Sequence, residues 1–187
     1  KVMGQASDAR LPAFFHGHAP DGTPLRDGRR GHLAFAADLA RNRLLVLAPH
    51  LLEWRAATRT EASHLDMLDR ALANLTELRA GTAGRFRLQV LPMAGDDPLL
   101  VQSQDWESLT HYTPTRHPKS PDPMPEIAAD VAAECRRRKL PLPEVTAAES
   151  PRGLRCRLYL RFPHPVPGPL LLGRTAMRGG GLFRPVG

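Results

Sequence analysis

Arg155-Cys-Arg-Leu-Tyr-Leu-Arg-Phe162 alternates without a break. Successive side chains of a strand point to opposite faces. Arg155, Arg157, Tyr159 and Arg161 therefore share one face, and Cys156, Leu158, Leu160 and Phe162 share the other. One face is therefore core, and the other is a cationic strip that carries one aromatic. A second stretch follows, Leu170-Leu-Leu-Gly-Arg-Thr-Ala-Met-Arg-Gly-Gly-Gly-Leu-Phe183, an apolar strand that breaks at Gly173 and ends in three glycines. Glycine lets backbone N–H groups approach a phosphate closely, and arginine forks onto phosphate oxygens in pairs. From Ser150 to Gly187 there are seven arginines and no acidic residue. A merely solvated surface mixes both signs. Two readings are open: a half-exposed strand followed by a turn without a ligand, or a surface for an anionic polymer such as RNA. The second makes Arg155, Arg157, Tyr159, Arg161, Gly173, Arg174, Arg178, Gly179, Gly180 and Gly181 RNA-contact candidates.

Upstream of the alternating strand, Ile127, Val131 and Cys135 form the stripe of a helix that begins near Pro125, with proline accepted in its first turn. It closes on Arg136-Arg-Arg-Lys139, where cations suit the negative end of the helix dipole. Strands are expected at about 106–116, 143–149, 154–162 and 169–173. The order β-α-β-β-β resembles a ferredoxin-like, RNA-recognition-like unit whose second helix has become a loop. Earlier still, His32–Leu39 and Arg43–Pro49 read as two strands joined at Arg41-Asn42. Leu65, Leu68, Leu72, Leu75 and Leu78 predict an amphipathic helix from about Thr60 to Arg79 that Gly81 ends. Arg85 to Leu91 reads as a strand. The expected fold is α+β: two ferredoxin-like halves, 1–103 and 104–187, with a C-terminal glycine-rich loop.

The 187 residues are 42% hydrophobic and 24% charged, the composition of a globular protein. Net charge is +7, which favours polyanionic partners. Residues 101–187 hold 13 basic and 8 acidic groups, against 13 and 11 in residues 1–100. Cys135 and Cys156 fit no ligand or redox motif and are read as buried free thiols in a reducing compartment. No membrane span or signal peptide is expected. The chain opens on Lys1 rather than methionine, as a piece of a longer polypeptide would.

Eight histidines offer chemistry. His16, His18 and His32 lie in or beside a turn-rich segment. His117 sits in Thr113-Pro-Thr-Arg-His-Pro-Lys119, just after Trp106 and Tyr112. Zinc needs three or four well-spaced ligands, which His16 and His18 do not supply. No catalytic triad, phosphate-binding loop, dinucleotide fingerprint or compact carboxylate cluster is present. Histidine beside arginine, lysine and tyrosine suits metal-free RNA cleavage by the RNA's own 2′-hydroxyl.

Three stretches carry a family resemblance. They are Gly17-His-Ala-Pro-Asp-Gly-Thr-Pro24 with His32-Leu-Ala-Phe35; Trp106 through Lys119; and Val166-Pro-Gly-Pro-Leu-Leu-Leu-Gly173 closing in Gly179-Gly-Gly-Leu-Phe183. In this order the chain resembles the C-terminal, RNA-processing part of the crRNA-binding subunit of type I-U (I-G) CRISPR systems, within the repeat-associated RNA-binding superfamily. The resemblance implies cytoplasmic, cofactor-free and metal-free cleavage of the CRISPR repeat. It also implies retention on the crRNA 3′ stem-loop inside a surveillance (Cascade) complex with backbone subunits and a 5′-handle-binding module. It does not fix the catalytic histidine: His18 and His32 are the first candidates and His117 the next, while Arg116, His117 and Lys119, with Tyr112, are candidates for holding RNA. A non-catalytic crRNA-binding scaffold of the same complex is the alternative.

Overall fold

In a computed structural model, residues 11–19, 21–23, 31–152 and 155–186 are described, with backbone alone at 149–152. Two compact units divide the chain: Leu33–Arg55 with Gly95–Gly187, and Lys1–His32 with Ala56–Ala94. Mixed helix and antiparallel sheet make the protein α+β.

In the larger unit the alternating stretch is the long strand β7 (Arg155–Pro167). It pairs on one side with β6 (Glu144–Arg152) and on the other with β5 (Gln102–Ser108). Beyond β5 come β9 (Leu182–Pro185) and β8 (Leu170–Leu171), so the sheet order is β6-β7-β5-β9-β8 and every pairing is antiparallel. The expected strand over 106–116 ends at Ser108. There the Leu109 and Thr110 N–H groups both turn to Leu182 O, and the chain leaves the ladder. Residues 182–185, expected only as the flank of a glycine loop, are a strand with two buried residues, Leu182 and Phe183.

One helix, α4 (Met124–Arg137), covers the apolar face. Its stripe Ile127, Val131 and Cys135 packs with Trp106, Leu158, Leu160, Phe162 and Phe183 in one buried cluster. Burying such side chains contributes about 1.5–3 kcal/mol each. Cys135 and Cys156 are free and buried, and burial raises their thiols to about 12 and about 11 respectively, so both stay protonated.

The hairpin β1 (Ala34–Asp38) and β2 (Arg43–Leu47) belongs to this unit, and its turn is the expected Arg41-Asn42, with Asn42 at φ 49°. Arg43 fastens it by donating to Asp38 (Nε, 2.9 Å) and to Asp97 (Nη2, 3.0 Å). Hydrogen bonding from Arg43 holds the Asp97 carboxyl below its ordinary range. A short helix α2 (Pro49–Leu52) follows, and the Trp54 indole N–H donates to Gly168 O.

The smaller unit holds α1 (Ala13–His16), α3 (Arg59–Leu72) and the hairpin β3 (Glu77–Arg79) and β4 (Arg85–Arg87). Thr58 caps α3 in a reciprocal box with Glu61. The helix stops seven residues before the expected Arg79. Residues 77–79 favour helix, yet the turn at Gly81 and Gly84, both with positive φ, folds Arg85–Arg87 back on them, and strand pairing wins. The expected strand 85–91 is cut to three residues.

The ferredoxin-like sheet expected in residues 1–103 does not form among the described residues. β1–β2 and β3–β4 are separate two-stranded ladders, and β1–β2 lies in the compact unit of the five-stranded sheet.

Candidate nucleic-acid interface and histidine site

In the smaller unit α1 buries Phe14 and Phe15, whose rings lie 5.1 Å and 5.7 Å from His64 of α3. Gly17 ends α1 at φ +74°, its N–H on Ala13 O. That left-handed turn swings His18 back so that its ring lies 5.6 Å from that of His16. His16 Nδ1 accepts the His18 N–H at 3.1 Å, so His16 donates from Nε2 to Leu11 O at 3.0 Å. Both of its nitrogens are engaged, and His16 is a post. His18 donates from Nδ1 to His16 O at 2.8 Å, which leaves the basic lone pair on Nε2. The His32 ring lies against Gly17: a Cβ there would stand 2.6 Å from His32 Nε2. His32, a sequence-predicted catalytic histidine, thus packs on Gly17, the residue that precedes His18 in the chain. Among the described residues no group of histidine, cysteine and carboxylate is arranged to hold a metal.

In the larger unit two loops run side by side. One joins β5 to α4 and the other joins β8 to β9. Arg174 N–H donates to Thr113 O at 2.9 Å, and Gly181 N–H to His111 O at 2.8 Å. Arg116, His117, Lys119, Arg174 and Arg178 are all exposed on this pair of loops. Among the described residues the four cations make no ion pair. His117 donates from Nδ1 to Pro118 O at 2.7 Å.

A feature invisible in the sequence reading shapes these loops. Glu126, Asp130 and Glu134 recur every fourth residue along α4, so they line one face of the helix. Glu126 accepts the N–H groups of Lys119 and Ser120. Asp130 accepts from the Tyr112 hydroxyl at 2.5 Å, from the Thr115 N–H at 2.9 Å and from the Thr115 hydroxyl. Glu134 accepts the Gly173 N–H at 2.6 Å and an Arg138 N–H at 2.8 Å.

These bonds correct several expectations. Tyr112 is fully buried, and burial first, then its bond to Asp130, drives its hydroxyl far above the ordinary range. It is a core residue whose hydroxyl is closed inside the fold on Asp130. Gly173 is buried, with its N–H given to Glu134 and the Tyr112 ring within 3.0 Å of where a Cβ would lie. Gly180 N–H donates to Thr175 O at 3.1 Å, and a Cβ on Gly181 would stand 1.7 Å from Leu172 O. Three of the four glycines therefore serve close backbone packing, and their N–H groups are already engaged within the fold. Gly179, at φ +92°, turns the chain beside Phe35 and Ala36.

Arg155, Arg157, Tyr159 and Arg161 do share the face away from α4, as the alternation predicts. The premise of a purely cationic strip fails, however, because neighbouring strands bring acids to it. Arg161 stands opposite Glu144 on one side and Asp105 on the other, with Arg161 Nε 3.8 Å from Asp105. Tyr159 faces Glu107, which pairs with Arg184 at 2.9 Å. The segment without acids lies in a sheet whose other strands supply them.

The Tyr112 reading has a direct check. Tyr112→Phe is expected to lower stability by about 2 kcal/mol, the range for a hydrogen bond to a charged group, and to leave RNA affinity unchanged. Thermal melting beside an RNA titration separates the two.

No family model matches the chain, and no curated protein or solved structure is found to match it. None of the helices among the described residues is long and apolar enough to cross a membrane.

Proposed function

We propose that the chain is a metal-independent endoribonuclease that cuts CRISPR repeat RNA and stays on the product within a type I surveillance complex. The observation that carries this reading is that His32 packs against Gly17, the residue before His18, whose Nδ1 is tied to His16 O. RNA cleavage of this kind needs two proton carriers close together. His18, with its lone pair on Nε2, removes the 2′-hydroxyl proton. The 2′ oxygen attacks the adjacent phosphorus and the bond to the 5′ oxygen breaks. His32, as imidazolium, gives that oxygen its proton. The products are a 2′,3′-cyclic phosphate and a 5′-hydroxyl, with no oxidant, water or metal consumed.

Arg116, Lys119, Arg174 and Arg178 supply the RNA-holding surface, His117 among them. The substrate and complex follow from the family resemblance. The five-stranded sheet supports that resemblance: taking β5, β6, β7 and β9 as strands one to four, its order is 2-3-1-4, with a helix after the first strand. That order is the one expected of a ferredoxin-like unit whose second helix is replaced, in our reading by β8 and the glycine loop. We extend the reading to residues 104–187 alone.

The test is incubation with labelled CRISPR repeat RNA in excess EDTA, with product ends resolved on a gel. One cut leaving a cyclic phosphate is expected. Cleavage only with added metal would overturn the mechanism. Tight binding without cutting would favour the scaffold reading, for which one observation speaks: the histidines and the cationic loops belong to different compact units.

Binding should also discriminate among arginines. The Arg174→Ala, Arg178→Ala double variant is expected to weaken binding, and the slope of log affinity on log salt should fall by about 1.4, two phosphate contacts on a single strand. Arg161→Ala, whose partner is Asp105, should leave the slope unchanged. Equal slopes for both variants would return the loops to ordinary solvated surface.

A further inference from the structure

The outer face of the β1–β2 hairpin is unaccounted for by the sites above. Register defines it: Phe35 stands opposite Val46, and Ala37 opposite Leu44. Paired residues of neighbouring strands project to the same side of a sheet. The hairpin's inner side, with Ala34, Ala36, Leu45 and Leu47, is buried. On the outer side Phe35, Leu44 and Val46 are left 49%, 61% and 41% exposed. The two charged residues of these strands, Asp38 and Arg43, alternate to the inner side.

Arg178 extends the outer face. Phe35 N–H donates to Met177 O at 3.2 Å, and Phe35 bridges in parallel with Arg178 at the edge of β1 away from β2. A bridged pair is a cross-strand pair, so the Arg178 side chain rises on the same side as the Phe35 ring. Across the surface the order is Arg178, Phe35, Val46. Arg178 is exposed and makes no ion pair among the described residues. Further along the same face, Ala37 and Leu39 line a cleft with Arg157 and Arg184. Arg184 is shared there with Glu107, at 2.9 Å. The apolar face thus has guanidiniums at both ends, and all of these residues belong to one compact unit.

An apolar face alone suits many occupants, and the charge beside it narrows them. The complement of Arg178 is an anion, and the complement of an exposed ring is a flat apolar group. An unpaired nucleotide carries both, a base for the ring and a phosphate for the guanidinium. A duplex keeps its bases stacked on each other and has none to offer. We infer that Phe35 and Arg178 together form a single-strand RNA contact, the base stacked on the Phe35 ring and a neighbouring phosphate on Arg178. The inference rests on the RNA reading proposed above and deepens it: the bound strand is unpaired where it crosses the hairpin.

Fluorescence anisotropy with an unstructured RNA and a blunt RNA duplex of equal length tests this in the full chain. Phe35→Ala is expected to weaken single-strand binding by about five- to a hundredfold, as for other stacking rings, and to leave duplex binding within twofold. Phe35→Trp should bind as wild type does. Phe35→Leu, which keeps the apolar face without a ring, should bind as weakly as alanine. Arg178→Ala should weaken both RNAs. A second measurement needs no variant: RNA carrying 5-iodouridine, irradiated on the wild-type chain, should crosslink to the peptide that holds Phe35. If the wild-type chain binds RNA but Phe35→Ala binds it equally well, or every crosslink falls elsewhere, the contact fails while the RNA reading stands. A wild-type dimer that Phe35→Ala dissociates, with RNA affinity unchanged, would give the face to a second copy of the chain and overturn the inference. A wild-type chain that ignores both RNAs would overturn the RNA reading itself.

Discussion

His32→Ala and His18→Ala are each expected to lower RNA cleavage by about 10²- to 10⁴-fold, the usual contribution of a positioned acid or base, with RNA affinity little changed. The reasoning runs from one glycine. Gly17 takes φ +74° and has no side chain, so the His32 ring can lie where any Cβ would collide with it. The same turn gives His18 a fixed tautomer through His16 O. Single-turnover rates with RNA in excess of its Kd isolate the chemistry, and anisotropy reports the affinity. His117→Ala, altering a residue on the cationic loops, is expected to reduce binding modestly and leave the rate at saturation intact. The opposite pattern, full activity in both smaller-unit variants and none in His117→Ala, would move the cutting site to the larger unit.

Glu134→Ala should be the most damaging single change to the fold, at about 3–5 kcal/mol, as for breaking a buried ion pair. Glu134 is 2% exposed and holds both the Gly173 N–H and Arg138. Alanine would strand a buried N–H and a guanidinium that is itself only 12% exposed and already has Nη1 buried without a partner. A fall in Tm of roughly 10 °C follows for a chain of this size. Glu134→Gln keeps an acceptor for Gly173 and should lose less. A Tm for the alanine variant within a degree or two of wild type would mean that the loops are held by something else.

The sequence made the larger unit's skeleton legible because its signals are periodic. Strict alternation at 155–162 and the spacing of Ile127, Val131 and Cys135 gave strand, helix and the face each buries. The Arg41-Asn42 turn was legible from local residues alone. What escaped was pairing across the chain. The acids opposite Arg161 and Tyr159, Glu144, Asp105 and Glu107, lie upstream on other strands, and no short window of sequence holds both partners. Tyr112 looked like a surface aromatic because Asp130, its partner, sits on a helix 18 residues away. The glycines at 173–181 read as phosphate cradles, since a glycine required by close packing and one required by a ligand are the same letter. Helix propensity at 75–79 misled for a related reason: the turn at Gly81–Gly84 acts beyond the helical period. The histidine site was half legible: His18 and His32 stand out in the sequence, while the packing of His32 on Gly17 does not.

The carboxylate ladder on α4 has a consequence for any polyanion that meets the cationic loops. Backbone amides on both loops are tied to one rigid rod, so the charges stand at set intervals before a ligand arrives. Little loop freedom is left to lose on contact. Such a surface works as a stencil: a pliant strand can bend until its phosphates coincide with the fixed charges, whereas a stiff polymer must already carry the right spacing or be refused.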